Sequence, residues 1–122
     1  GSVVIKESLA FRNAGAIHAT DTINVAGGNV VIKGSAAEAD GGAIHARSMN
    51  VTAGSLTINR SVADENGGCI LTVYTFTQSG GAVSLQGCRA KREGGGIFSR
   101  GNITMEDAAT LTIRDSQADR GG

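Results

Sequence analysis

The chain of 122 residues contains no proline and no tryptophan, and aromatic residues make up only 3% of it. A core without large rings must be built from isoleucine, valine, leucine and alanine, which favours many narrow, similar layers over one irregular interior. No apolar run approaches the roughly 18 residues that a transmembrane helix needs. The eleven basic and eleven acidic residues cancel and form no basic cluster, so we expect neither nucleic-acid binding nor membrane insertion.

Glycine, in contrast, is abundant, and many of the 19 glycines belong to a repeat. A Gly-Gly-x-Ile segment or a close variant recurs around Ile17, Ile44, Ile70 and Ile97, at intervals of 27, 26 and 27 residues. Periods of this size are typical of solenoids, in which each unit buries its apolar face against its neighbours. We predict a single domain, 1–122, with coil segments of about 1–13, 14–40, 41–66, 67–93 and 94–121.

Three strand-like segments recur in each unit, the first being the Gly-Gly-x-Ile segment itself. The other two carry apolar residues at i and i+2, which face the same way on a strand but not on a helix. Each Gly-Gly pair would also cost a helix roughly 2 kcal/mol. The second segment carries Ile23/Val25, Met49/Val51, Phe76/Gln78 and Ile103/Met105, and the third carries Val3/Ile5, Val30/Ile32, Leu56/Ile58, Val83/Leu85 and Leu111/Ile113.

Three short strands in about 27 residues predict an all-β fold, a right-handed single-stranded parallel β-helix of about 4.5 coils. Equivalent strands of successive coils should pair in parallel. Propeller blades usually need roughly 40 residues or more, and leucine-rich repeats need an asparagine-centred consensus that is absent here. The β-helix is therefore the favoured solenoid.

Small residues follow the third segment, and we interpret them as a tight turn that stacks coil on coil. They form a serine row with one cysteine, and an alanine row two positions later: Ser8, Ser35, Ser61, Cys88 and Ser116, then Ala10, Ala37, Ala63, Ala90 and Ala118. The glycines before each isoleucine are expected to supply a positive φ at the corner into the first strand. Ala14 replaces the first glycine of the earliest unit, so there the conformation is preferred rather than obligatory, or that end of the stack is looser.

Charged residues concentrate in the turn between the third and first segments. One row reads Glu38, Asp64, Lys91 and Asp119, and the next reads Arg12, Ala39, Glu65, Arg92 and Arg120. The alternating signs predict cross-coil pairs, each worth well under ~1 kcal/mol, at Asp64–Lys91–Asp119 and at Glu65–Arg92. Because basic residues interrupt the acidic row, we expect no metal site in this turn.

His18 and His45 occupy equivalent positions one coil apart, so their side chains should stack about 5 Å from each other. The next coils place Leu71 and Phe98 at this position, which favours a surface ladder of large side chains over a metal site. No nucleophile motif adjoins either histidine.

Cys69 and Cys88 lie 19 residues apart within one coil. Cys69 stands where other units have alanine, and Cys88 stands in the serine row, so both are interpreted first as small packing residues. The alternative is a disulfide, which would require the start of the first strand to meet the turn after the third. Without that bond the cysteines indicate no redox compartment.

A carbohydrate-cleaving β-helix would need clustered carboxylates and aromatic platforms for sugar rings. Tyr74, Phe76 and Phe98 lie near the middle coils, but no carboxylate pair is in register with them. We therefore expect no enzyme and no catalytic, cofactor-binding or metal-binding residue.

The outward side of the third segment is a flat surface of small residues that could dock another solenoid, a glycan or ice. An ordinary solvent-exposed sheet is the favoured interpretation of it. Its two columns read Val4, Val31, Thr57, Ser84 and Thr112, and Ser2, Asn29, Ser55, Ala82 and Thr110.

The run Ser-x-Ala followed by Gly-Gly-Ala-Ile resembles the repeats of the chlamydial polymorphic membrane proteins, which are autotransporter adhesins. Gly41-Gly42-Ala43-Ile44 matches their Gly-Gly-Ala-Ile motif in full, and two later units match it in part. Their other motif, Phe-x-x-Asn, is spelled only by Phe11-Arg12-Asn13, outside the expected phase. The resemblance implies a secreted or surface-displayed β-helix.

We therefore expect a structural or adhesive extracellular β-solenoid, either a segment of a longer repeat protein or a subunit that stacks end to end. Neither end of the pattern carries an amphipathic cap, which solenoids normally need. The expected partners are the chain itself or flanking repeats, and a glycan or host-surface molecule is a further candidate. A glycan-binding or polysaccharide-cleaving β-helix and an ice-binding face remain as alternatives.

Overall fold

The computed structural model describes residues 2–6, 9–10, 14–106 and 108–120. Ser8 of the predicted serine row, Arg12 of the charged row and the Phe11-Arg12-Asn13 motif lie outside the described residues. Within the described ranges the chain forms strands and turns with no helix, and the strands pair in parallel. The chain is a β-solenoid of about four turns, as the repeat predicts.

In the described part of the chain, sixteen strands build the solenoid. In chain order they are β1 (Ser2–Lys6), β2 (Leu9–Ala10), β3 (Ile17–His18), β4 (Thr22–Lys33), β5 (Ala36–Ala37), β6 (Ile44–Ala46), β7 (Ser48–Asn59), β8 (Val62–Ala63), β9 (Ile70–Thr72), β10 (Phe76–Gln78), β11 (Ala82–Gln86), β12 (Arg89–Glu93), β13 (Ile97–Ser99), β14 (Ile103–Met105), β15 (Thr110–Arg114) and β16 (Gln117–Arg120). They form a seven-stranded sheet, β1-β4-β7-β10-β14 with β11 and β15, a five-stranded sheet, β2-β5-β8-β12-β16, and a four-stranded sheet, β3-β6-β9-β13.

Equivalent residues of successive coils pair in the register that the repeat predicts. The pairing columns are Ile17, Ile44, Ile70 and Ile97 in the four-stranded sheet, Val30, Leu56, Val83 and Leu111 in the seven-stranded sheet, and Ala10, Ala37, Ala63, Ala90 and Ala118 in the five-stranded sheet. A slip by one residue would turn every buried side chain outward, so the repeated apolar positions hold the register.

The prediction of separate second and third strands is wrong in the first two full coils. There β4 and β7 each run through both segments as one strand of 12 residues. Their pairing shifts register between Val25 and Asn29, which marks a β-bulge. Gly28 and Gly54, with φ of 70° and 80°, provide the left-handed backbone that lets the strand bend without ending.

The predicted turn after the third segment is present but shorter than expected. A residue of positive φ precedes each member of the serine row, namely Gly34, Arg60, Gly87 and Asp115, and the alanine row already lies in the five-stranded sheet. The alternation of a strand begins at the turn, since Ser35 and Ala37 are buried while Ala36 is only partly so. The inward residues are small, so the alternation does not stand out as a hydrophobic pattern. In β12 the strand extends through Glu93 into the charged residues.

The corner into the four-stranded sheet has the positive φ that the glycines predict. Gly41, Gly67 and Gly94 have φ of 68°, 69° and 64°, and Ala14 keeps the same conformation with φ of 58°. The corner therefore imposes the conformation even on alanine, at a cost of roughly 1 kcal/mol or more.

A ladder of side-chain hydrogen bonds lies immediately before these glycines. The Asn66 N–H donates to Asp40 Oδ1 over 3.0 Å, and the Glu93 N–H donates to Asn66 Oδ1 over 3.2 Å. Each polar side chain thus caps a backbone amide of the next coil, which would otherwise lack a partner at the turn.

The interior contains stacked columns of mostly aliphatic side chains, and in the middle coils these side chains are buried from solvent. Ile58, Phe76 and Leu85 are fully buried. Gln78 is the polar exception, since it is fully buried in a column of valine and methionine. Its Nε2 donates to Thr110 O over 2.8 Å and so ties its coil to the last one.

Cys69 and Cys88 form a disulfide, with their Cα atoms 5.2 Å apart and both residues fully buried. The first interpretation of them as packing residues alone is therefore wrong. The bond crosses the narrow interior of one coil. It joins the residue just before β9 of the four-stranded sheet to the residue just before β12 of the five-stranded sheet. The Cα separation is within the range that lets two thiols bond.

Candidate functional site

In the last coil, apolar side chains that continue the buried columns of the interior are exposed to solvent. Ile103, Met105 and Ile113 are 50%, 43% and 43% exposed, although their equivalents in the preceding coil, Phe76, Gln78 and Leu85, are fully buried. Together with the partly buried Ile97 and Leu111, these three residues form what we call the terminal face. The exposure follows from the position in the stack, because the residues continue the inward columns without a change to polar side chains.

The strands that bear the terminal face are edge strands. β13, β14, β15 and β16 each pair on one side, with β9, β10, β11 and β12. An unpaired edge presents a row of N–H and C=O groups that can template another strand. The terminal face therefore combines apolar contact area with backbone groups in the register of one further coil.

A second candidate site lies at the corner between the four-stranded and seven-stranded sheets. Asp21, Arg47 and Tyr74 stack there, since the Arg47 N–H donates to Asp21 O over 3.2 Å and the Tyr74 N–H donates to Arg47 O over 2.7 Å. This stacking places Arg47 Cζ 4.7 Å from the centroid of the Tyr74 ring, a cation–π contact. We call Arg47, Tyr74, Arg100, His18 and His45 the basic corner.

The two imidazoles of the basic corner stack as predicted, with ring centroids 5.0 Å apart in an edge-to-face arrangement. The prediction of a surface ladder holds only in part. His18 is exposed, but Leu71 in the same column is fully buried and Phe98 is partly buried. Among the described residues no three histidine, cysteine, aspartate or glutamate side chains lie close enough together to hold a metal ion.

The His45 imidazole has a lowered pKa. Burial is the largest cause, and the positive charges of His18 and Arg100 lower the pKa further, while the Asp40 carboxylate opposes them. Burial, assisted by the neighbouring positive charges, thus favours the neutral form of the His45 imidazole.

Replacing His45 by leucine, the residue of the next coil in this column, should remove part of the pH dependence of stability. Between the folded-state pKa of His45 and its ordinary value of 6.5, the unfolded chain binds a proton that the folded chain does not. The free energy of unfolding of the wild type should therefore fall as the pH drops below about 6.5, and His45→Leu should lessen this fall. Urea denaturation at pH 5 and pH 8 measures the difference, and equal falls for both proteins would contradict it.

No family model, curated protein or solved structure matches the chain. No helix long and apolar enough to cross a membrane occurs in the part of the chain that the structure describes. The functional argument therefore depends on the geometry of the two candidate sites.

The other predicted surface features have structural roles. Lys91 Nζ lies 3.1 Å from Asp64 Oδ1, and both side chains are largely exposed, so the pair contributes little stability. Glu65 and Arg92 meet through the backbone, where the Arg92 N–H donates to Glu65 O over 2.9 Å.

Polar side chains on the flat surface of small residues of the seven-stranded sheet form hydrogen bonds between successive coils. On this surface Ser55 Oγ donates to Asn29 Oδ1 over 2.5 Å, and on the adjoining second segment of the same sheet Asn50 Nδ2 donates to Asn24 Oδ1 over 3.3 Å. Polar groups on this surface thus satisfy one another between coils, which supports the interpretation as an ordinary exposed sheet.

The three aromatic residues of the middle coils have different environments. Phe76 is fully buried, Phe98 is partly buried, and Tyr74 is 50% exposed. Tyr74 is thus the one of the three that offers its ring to solvent. Sequence reasoning missed its contact with Arg47 because the units were aligned on the Gly-Gly-x-Ile segment, from which Arg47 and Tyr74 differ in distance by one residue. Counted back from the second segment, both residues stand two positions before paired residues, Met49 and Phe76.

Proposed function

We propose that the chain is a structural and adhesive β-solenoid of the extracellular space or the cell surface. It forms part of a stalk or fibre by coil-on-coil stacking, with the terminal face covered by a further coil, either of a second copy or of flanking repeats of the same protein. The exposed Ile103, Met105 and Ile113 carry this proposal. Apolar side chains that continue a buried column, bordered by open strand edges, mark a surface that gains free energy when another coil covers it.

The disulfide supports the proposed location. Disulfides persist in oxidising environments such as the extracellular space and are rare in the cytosol. The bond between Cys69 and Cys88 is fully buried, so it belongs to the folded coil rather than to an exposed reactive pair. The resemblance of the Gly-Gly-Ala-Ile repeats to those of surface adhesins supports the same location.

The double substitution Ile103→Lys and Ile113→Lys tests the stacking. Wild-type protein should associate with rising concentration into rods that electron microscopy shows as end-to-end assemblies, and the double variant should remain monomeric by light scattering. Two buried lysines in the contact would carry an uncompensated desolvation cost. Ile103 and Ile113 are already half exposed in the single chain, so we expect the variant to fold.

Thr52→Lys with Ala82→Lys is the matched control, since both residues are exposed and lie on strands of the middle coils. This control adds the same charge away from the terminal face and should still associate. A wild-type chain that stays monomeric at every concentration would contradict stacking by copies of the chain, and equal loss of association in the control would contradict the role of the terminal face.

A further inference from the structure

The Tyr74 ring offers a flat surface to a ligand. The Arg47 guanidinium lies over the ring, and half of Tyr74 remains exposed. The next coil places Gly101 beside Tyr74, where a Cβ atom would overlap the Tyr74 carbonyl oxygen. No side chain can therefore grow from position 101 to cover the tyrosine from that coil.

The guanidinium groups of the basic corner are available to an anionic ligand. In the described ranges, neither Arg47 nor Arg100 has an aspartate or glutamate oxygen at ion-pairing distance. Asp21 stacks on Arg47 through the backbone, and its Oδ1 accepts the Thr22 N–H over 2.9 Å. Asp40 contributes one negative charge near His45 and accepts the Asn66 N–H.

The basic corner also encloses space. A shallow pocket of about 360 Å³ lies among His18, His45, Arg47 and Tyr74, with Thr20 and Val73 on its sides. This volume is at the lower end of the range of about 300–1,000 Å³ for small-molecule sites. The imidazole, hydroxyl and guanidinium groups of its lining are the polar groups that bind sugar hydroxyls and carboxylates.

We propose that the basic corner binds an acidic sugar, a pyranose that carries a carboxylate. The ring of Tyr74 packs against the apolar face of the pyranose, and a guanidinium binds the carboxylate through paired N–H donors. The contact with Tyr74 holds Arg47 in place before the ligand arrives, which reduces the entropy lost on binding. This proposal deepens the adhesive part of the proposed function and rests on it.

The direct test is a titration of the whole chain, by calorimetry and by saturation-transfer NMR, with three probes. Sialyllactose and trigalacturonic acid both carry a carboxylate on a pyranose, and lactose is the neutral probe. We expect at least one acidic probe to bind about tenfold or more tightly than lactose, and the one that binds identifies the type of acidic sugar. Equal binding of lactose, or no binding of either acidic probe, would overturn the proposal.

Substitutions at the basic corner separate a specific site from general charge attraction. Arg47→Gln and Tyr74→Leu should each weaken binding of the acidic probe about tenfold, whereas Tyr74→Phe keeps the ring and should keep the binding. Arg92→Gln removes a positive charge from an exposed position on β12 and should leave the affinity unchanged. Thermal midpoints equal to that of the wild type show that the variants fold. Undiminished binding by Tyr74→Leu would overturn the role of the ring.

The two proposals fail independently. The Ile103→Lys and Ile113→Lys variant should bind the acidic probe as the wild type does, because the basic corner is formed by the preceding coils and the Ser99–Gly101 corner. A chain that binds the sugar but never stacks would refute the fibre alone. A chain that stacks but binds no acidic sugar would refute the binding site alone.

Discussion

Replacing Gly42 by alanine is expected to lower the free energy of unfolding by about 3–5 kcal/mol. A Cβ atom at position 42 would overlap the carbonyl oxygen of Gly68 and lie 2.7 and 2.8 Å from the backbone C and N of Val62. All of these are backbone atoms, of the next coil at Gly68 and of β8 in the same coil at Val62, and they cannot move away as a flexible side chain could. The coil would have to widen and to separate locally from its neighbour, which breaks parallel hydrogen bonds as well as packing. Urea denaturation followed by circular dichroism measures the loss.

Gly27→Ala is the matched control for this result. Gly27 lies in the bulge of β4, and a Cβ atom there would meet no other atom within 4 Å. The substitution should change the free energy of unfolding by less than about 1 kcal/mol, with the restriction of the unfolded chain favouring a small gain. Similar losses for Gly27→Ala and Gly42→Ala would show that glycine matters for its backbone freedom and not for the close approach of the coils.

Removing the disulfide is expected to lower the free energy of unfolding by about 3 kcal/mol and the thermal midpoint by roughly 10 °C. The repeat itself supplies the replacement, because other coils have alanine at the position of Cys69 and serine at the position of Cys88. The double variant Cys69→Ala and Cys88→Ser therefore keeps side chains that already fit this interior. Differential scanning calorimetry measures the change.

Reductant provides the control for the disulfide prediction. Wild-type protein with its bond reduced should unfold near the midpoint of the double variant, and the variant itself should be insensitive to reductant. The stabilisation would then come from closing a loop of 19 residues in the unfolded chain. A double variant as stable as the oxidised wild type would contradict this result.

The sequence predicts the parallel strand pairing well, because the repeat length determines which residues of successive coils lie side by side. Ile44 must lie beside Ile17 and Ile70 once each coil takes 26 or 27 residues, and the structure pairs them so. The five-stranded sheet was not predictable in the same way. Its inward positions are serine, cysteine and alanine, which are small enough for a turn and too small to show a strong hydrophobic alternation.

The glycine pairs show a second limit of the sequence. Positive φ explains the first glycine of each pair, and Ala14 shows that this position tolerates a side chain. The second position is Gly15, Gly42, Gly68 or Gly95, and there a Cβ atom would meet backbone atoms of the same coil 20–22 residues further along. At Gly15, Gly42 and Gly68 it would also meet the carbonyl oxygen of the equivalent glycine of the next coil. These contacts join residues that are distant in the sequence, so a local conformational argument does not reveal them.

The candidate sites depend on features that do not repeat. The open columns of the terminal face follow from the predicted uncapped end, because the last inward residues stay apolar. The basic corner was not predicted, since Arg47 and Tyr74 fall into one column only when their two coils are aligned on the second segment, at Met49 and Phe76. Tyr74 is the single tyrosine of the chain, which is the one hint that the sequence offered.

The disulfide has a mechanical consequence for a protein that carries load. A β-solenoid pulled at its ends unwinds one coil at a time, because each coil is held mainly by its neighbours. The coil of Cys69 and Cys88 cannot extend to its full length, since the bond closes a covalent ring over a sequence separation of 19 residues. The ring withholds about 60 Å of extended chain from the stretched length. Under tension the coil that contains the disulfide would therefore lengthen less than its neighbours.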